Sequence, residues 1–192
     1  MTHDLPRIDN ELALLAELVP LDGQRIIELG CGAARLLRDL LLGFEAGQTL
    51  IDVQRGNWAT LGAAARAIRQ TVFVDEQQIP AELVCDAADE TAVHAVAFNR
   101  LGMAVAAGRA VDLGAGVIKV GRMATLPTVR GGGLASAVLA ALMQAGREQG
   151  AQEVMLQAQA SAVGFYRRLG YRLCGPVFEE AGIPHQEMRI SL

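Results

Sequence analysis

From Arg122 to Leu142 the chain reads RMATLPTVRGGGLASAVLAAL, and no other stretch constrains its fold as tightly. An apolar strand runs to Leu126, Pro127 ends it, and three consecutive glycines separate it from a helix of strong formers. A glycine triplet lets successive backbone N–H groups face one anionic ligand, and a helix starting there adds the positive end of its dipole. Arg130 supplies a guanidinium that pairs readily with phosphate. The stretch lacks a Gly-Lys-Ser/Thr ending, which separates it from ATP-type phosphate loops.

A second glycine loop lies upstream, in GQRIIELGCGAARLLRDLLLG, residues 23–43. Gly30 and Gly32 free the backbone to turn at the end of a short strand, and the next helix points its N-terminus at whatever sits there. Asp52 follows at roughly 20 residues, the distance at which an acidic side chain holds ribose hydroxyls. The segment resembles the first motif of class I SAM-dependent methyltransferases, with Glu28, Gly30, Cys31 and Gly32 matching and Ala34 in place of the third glycine. The resemblance covers about 45 residues, too few for a self-standing domain. It implies a methyltransferase-like fragment over residues 1–46, a helix–strand–helix appendage without function of its own. SAM binding is the alternative.

The remaining pattern is that of an α/β chain. DNELALLAELV has helical spacing and is stopped by Pro20, RIIEL reads as strand, and AARLLRDLLL reads as a helix closing at Gly43. TLIDVQ predicts a strand, and the alanine-rich run from Asn57 to Val74 predicts one helix. EQQIPAELVCDAADET predicts a mostly irregular connection. HAVAFNR and MAVAAGRAV predict a hairpin about Leu101-Gly102. GVIKVGRMATL is the longest strand candidate, and the helix after the triplet closes at Gly150. QEVMLQAQ predicts a strand, SAVGFYRRLG a helix ending at Gly170, and YRLCG and EMRISL the last two strands. This order predicts an α/β domain with a partly antiparallel sheet.

Composition narrows the function classes. Of 192 residues 52% are hydrophobic, enough for a core, yet no apolar run reaches the roughly 18 residues of a membrane span. The N-terminus has no basic lead followed by an apolar stretch, so no secretory signal is expected. A soluble, cytoplasmic protein is the expectation. Net charge is −4 with no basic cluster, which argues against nucleic acid as a partner. Cys31, Cys85 and Cys174 form no Cys-x-x-Cys pair and the three histidines are scattered, so neither disulfides nor a metal site is expected. The cysteines are expected to act as small buried apolar residues.

Four ordered motifs carry a second resemblance. Arg130-Gly131-Gly132-Gly133-Leu134-Ala135 is similar to Arg-x-x-Gly-x-Ala, the acetyl-CoA pyrophosphate motif of the GNAT superfamily of N-acetyltransferases. LQAQASAVGFYRRLGYRLCG resembles the next segment of that family. IRQTVFVDEQQIP, followed by Asp86, Asp89 and His94, and the terminal EEAGIPHQEM resemble its ElaA-like branch. The resemblance spans about residues 49–192 and implies a GNAT domain over 47–192. Such a domain has a mixed, mostly antiparallel sheet flanked by helices, with splayed central strands.

By that resemblance the cofactor is acetyl-CoA and the acceptor a primary amine of a small molecule or peptide, acetylated by direct attack. Met123, Ala124 and Thr125 would pair with the pantetheine arm, one of their N–H groups polarising the thioester carbonyl. Arg130, Gly131, Gly132, Gly133, Leu134 and Ala135 would take the pyrophosphate, and Gln159 would stand near the pantetheine. Tyr166 would be the general acid toward the CoA sulfur, since a phenol of pKa near 10 keeps its proton at neutral pH. Glu76, His94 and His185 are candidate bases, and Arg69 and Gln77 candidate walls of the acceptor groove. An acyl-CoA-binding module without turnover is the alternative. The apolar faces of the N-terminal segment need cover, either on the domain or in a homodimer.

Overall fold

The structure, a computed structural model, describes residues 51–192. The helix, strand and helix expected before residue 46, the Gly30–Gly32 loop and Cys31 lie outside the described residues. So does the whole of the 1–46 fragment.

Among the described residues seven strands form one sheet in the order β1-β2-β3-β4-β5-β7-β6. They are β1 (Asp52–Gly56), β2 (Val93–Phe98), β3 (Ala104–Asp112), β4 (Val117–Thr125), β5 (Glu153–Gln159), β6 (Arg172–Glu180) and β7 (Ile183–Ser191). Every neighbouring pair is antiparallel except β4 and β5. That one parallel pair needs a crossover, which helix α2 (Leu134–Glu148) supplies.

Two helices cover the two faces of β2 and β3, and the strand sequences explain how they come so close. AVAAGRAV in β3 and HAVAF in β2 carry small side chains that are buried on both sides. Ala95, Ala97 and Ala106 face the larger core with Val138, Leu139 and Leu142 of α2. Val96 and Ala107 face Leu61, Ala65 and Ile68 of helix α1 (Trp58–Arg69). Leu134, Val138, Leu139, Leu142, Ala145 and Gly146 make a 3.6-residue stripe on α2.

The expected helix over Asn57–Val74 differs in detail. Asn57 is its cap, accepting a hydrogen bond from the Thr60 N–H at 3.1 Å. The α-helical winding stops at Arg69, and Gln70–Glu76 continue as a wider π-helical turn, a local form that period alone does not distinguish. The expected hairpin is present, with the Asn99 side chain accepting from the N–H groups of Leu101 and Met103. The connection read as irregular contains two short 3₁₀ turns, Ala81–Leu83 and Ala87–Glu90.

The last two strands are longer than YRLCG and EMRISL. They form a hairpin that turns at Ala181-Gly182. Pro176 lies within β6, which is the sheet edge, where a missing N–H costs no ladder bond. Its register shifts between Cys174 and Val177 at that point. Short helix α3 (Val163–Arg168) precedes β6. Cys85 and Cys174 are half-buried rather than buried: Cys85 Sγ accepts from Arg69 at 3.7 Å, and Cys174 lies on the edge strand. Among the described residues no helix is long and apolar enough to cross a membrane.

Candidate active site

β4 and β5 pair for only four residues, from Val117 opposite Glu153 to Val120 opposite Leu156. Beyond that point β4 stays on β3 as far as Thr125, and β5 stays on β7 as far as Gln159. The strands therefore part, and the edge of β4 from Gly121 to Thr125 that faces away from β3 has no strand partner among the described residues. Backbone donors and acceptors along that edge are open to an extended ligand.

A bulge produces the parting. Ala107 pairs with Ala124 while Arg109 pairs with Gly121, so Gly108 alone opposes Arg122 and Met123. Arg122 takes a left-handed conformation, φ 53°, and turns to one face. Met123 turns to the other, and its Sδ lies where a side chain on residue 108 would stand, beside Leu142 and Val138. Residue 108 must be glycine for Met123 to lie there.

At the end of β4, Val129 and Leu134 are buried at the two ends of the loop while Arg130 to Gly133 are exposed. Gly131 (φ 81°) and Gly133 (φ 80°) are left-handed, a conformation that the other residue types adopt at a cost. Gly133 is the cap of α2 and contributes no side chain, so the helix's first N–H groups keep no side-chain partner. Backbone of this kind at a helix N-terminus suits an anion such as phosphate.

The π-helical turn closes the opposite side. Arg130 donates to Glu76 through both terminal nitrogens, at 2.7 and 2.5 Å, and through Nε to the Thr125 carbonyl at 3.1 Å. The Arg130 hydrogen bonds hold the Glu76 carboxyl below the usual carboxylate range. The next residue, Gln77, exchanges amide hydrogen bonds with Gln159, at 2.9 and 3.4 Å. His185 pairs with Gln159 across β5 and β7 and stacks on Phe178 at 5.9 Å. Thus Glu76, Gln77, Arg130, Thr125, Gln159 and His185 gather around the open ends of β4 and β5.

Tyr166 sits in α3, 6% exposed, edge-on to both Phe165 and Tyr171. Burial pushes its phenol up to about 12, and its hydroxyl makes no hydrogen bond to another described residue.

Arg69 and His94 lie elsewhere, in a buried network beneath α1. Both are fully buried. Arg69 donates to Asp89 at 2.9 Å, and Trp58 packs against both Arg69 and the His94 ring. His94 Nε2 donates to the Asp89 carbonyl at 2.9 Å, and burial lowers the imidazole's proton affinity. Arg109 forks onto Asp86 at 2.7 Å through each terminal nitrogen and reaches Asp89 at 2.7 Å. Arg122 joins at Asp86 and at the Leu83 carbonyl, both 2.9 Å. The network thus ties the bulge of β4 to the connection after α1. Arg109 and Arg122 were not among the sequence candidates. The signal for them was an arginine inside an otherwise apolar strand, which demands a buried counter-charge.

The profile described as Acetyltransferase (GNAT) domain matches residues 65–192, and the chain belongs to this family. YjcF of Bacillus subtilis (strain 168), an uncharacterized N-acetyltransferase, is 37% identical over 122 residues, which are 63% of this chain and 86% of YjcF. An acyl-CoA N-acyltransferase structure from Pseudomonas aeruginosa superposes with a TM-score of 0.64 at 30% identity, covering 72% of this chain and 98% of that one. Escherichia coli ElaA shares the fold, with a TM-score of 0.65 at 24% identity over 72% and 98% of the two chains. The chain is accordingly an acyltransferase that draws its acyl group from an acyl-CoA.

The acidic members of the network set a pH dependence. Hydrogen bonds from Arg109 hold the Asp86 carboxyl far below the usual range. Burial pushes Asp89 up, but Arg69 and Arg109 outweigh it and the net shift is down. Carboxyls depressed in the folded state stabilise fully above their unfolded pKa of about 3.9, and that stability is lost as pH falls through the folded value. Urea unfolding of the wild type should therefore weaken steeply below about pH 4. Asp86→Asn should be less stable at pH 7 and should show a shallower slope between pH 4 and 2. Parallel slopes for the two proteins would remove Asp86 from the account.

Proposed function

We propose that this chain transfers the acetyl group of acetyl-CoA to a primary amine of a small molecule or peptide, by direct attack and without an acyl-enzyme. The observation that carries the reading is the unpaired edge of β4 running straight into the Gly131–Gly133 concavity. A strand edge followed by a glycine loop at a helix N-terminus suits a pantetheine arm ending in a pyrophosphate. Acetyl-CoA brings a thioester whose carbonyl is open to an amine.

The chain's own groups would do the rest. Met123, Ala124 and Thr125 offer main-chain hydrogen bonds to the arm, and an N–H there polarises the acyl oxygen. Arg130, the three glycines and the N–H groups of Leu134 and Ala135 hold the diphosphate. Gln159, tied to Gln77, borders the arm from β5. Tyr166 gives its proton to the departing sulfur, and a phenol raised to about 12 is protonated throughout the working range. Glu76 and His185, at the open ends of the strands, would receive the amine's proton, directly or through water. His94 and Arg69, enclosed beneath α1, are assigned to holding the network in shape. Glu76 is engaged by Arg130, and that one observation favours the second reading, an acyl-CoA-binding module without turnover. The domain is assigned to residues 47–192, with 1–46 as an appendage.

Calorimetry should show saturable acetyl-CoA binding to the wild type. Gly132→Glu, which places a carboxylate in the concavity, should abolish it with the circular-dichroism spectrum unchanged; retained binding would put the diphosphate elsewhere. In an amine-acceptor screen followed by free-thiol release, Tyr166→Phe should lower kcat about 10²-fold or more with little change in acetyl-CoA affinity. Unchanged turnover would assign the acid to another group. Binding without thiol release from any amine would select the non-enzymatic reading. Removal of residues 1–46 should leave acetyl-CoA affinity within about twofold, a ratio that corresponds to roughly 0.4 kcal/mol. Loss of binding in a folded product would make that segment part of the site.

A further inference from the structure

The Glu76–Arg130 pair joins the acceptor side of the slot to the phosphate side, and one guanidinium serves both. Its two terminal nitrogens are spent on Glu76 in a fork, the geometry in which arginine also grips a phosphate. It cannot hold both partners that way at once. Its Nε stays on the Thr125 carbonyl, so the terminal fork can change partners while the side chain remains anchored at the end of β4.

We propose that the two residues form an exchangeable pair. The pyrophosphate of the CoA donor takes Arg130 from Glu76, and the released carboxylate becomes the seat for the ammonium form of the acceptor amine. The proposal rests on the acyl-CoA site described above and adds an order to it, donor before acceptor, together with a positively charged acceptor class.

Three observations support the exchange. Both side chains are more than a third exposed, 44% and 38%, so the pair is solvent-screened and easily parted. The contrast is with Arg69 and Asp89 under α1, where both partners are enclosed and removing one strands a buried charge. Arg130 also adjoins Gly131, so a diphosphate in the concavity gains the glycine N–H groups as well as the guanidinium, which a single carboxylate does not. Finally, the residue next to Glu76, Gln77, is tied to β5 by side-chain hydrogen bonds with Gln159. A released Glu76 therefore stays at the slot instead of swinging away with the loop.

The sign of one mutation separates exchange from buttressing. If Glu76 competes with the diphosphate, Glu76→Gln should bind CoA two- to fivefold more tightly than the wild type by calorimetry, and Arg130→Met should bind it more weakly. Equal or weaker binding by Glu76→Gln would mean that Glu76 merely props Arg130 in place, and the exchange would be overturned. In a ¹³C-detected titration the Glu76 carboxyl should titrate below the ordinary range in the free protein and move up when CoA is added. A midpoint that stays low with CoA bound overturns the release. Hexylamine should bind the CoA-loaded wild type and lose at least tenfold in Glu76→Gln; the same affinity, or none, for both removes the acceptor half. Failure of the wild type to bind CoA at all would instead overturn the acyl-CoA site itself.

Discussion

The separation of β4 from β5 after four paired residues is the constraint on which the rest of the molecule depends. A parallel pair that simply continued would close the sheet and leave no main-chain edge for a ligand. What prevents closure is spread over both faces of β4. The bulge at Arg122 and Met123 redirects the strand, Gly108 leaves room for Met123 against α2, and Asp86 holds Arg122 from the other side. On the far side β7 keeps β5 in register to its last residue. The slot is thus a by-product of each strand being better paired on its outer edge than its neighbour is on the inner one.

Charge is used in two different ways at the two ends of this arrangement. Under α1, arginines and aspartates are enclosed, where taking a charge out of water is costly and a partner is obligatory. Their geometry leaves few alternatives, which suits groups that fix the bend of a strand. At the mouth of the slot the ion pair is exposed and cheap to part, and its neighbours are neutral amides. The same residue types therefore form enclosed fasteners in one place and a solvent-screened pair in the other, and solvent access decides which.

Much of the framework was legible in the sequence because it rests on local rules. The glycine triplet after Pro127, the α2 stripe and the Leu101-Gly102 hairpin each follow from turn chemistry or period. The π-helical turn over Gln70–Glu76 was not, since an alanine-rich run gives no sign of where winding loosens. The length of β6 was not either, because Pro176 is compatible with a strand only at a sheet edge, and edges are set by topology. Among the candidate site residues, helix and strand assignments could not separate those at the slot (Glu76, Gln77, Gln159, His185) from Arg69 and His94. That division depends on which face of α1 and β2 is enclosed, a long-range matter that spacing along the chain does not encode.

The alanine-lined strands β2 and β3, pressed between α1 and α2, have a consequence for how such a chain drifts. Ala95, Ala97 and Ala106 have no measurable exposure, so at these positions even one added methyl group meets a helix. A well-packed interior accepts enlargement only when a neighbour shrinks. Change in the middle of this sheet is therefore tied to simultaneous change in a helix. The centre behaves as a ratchet.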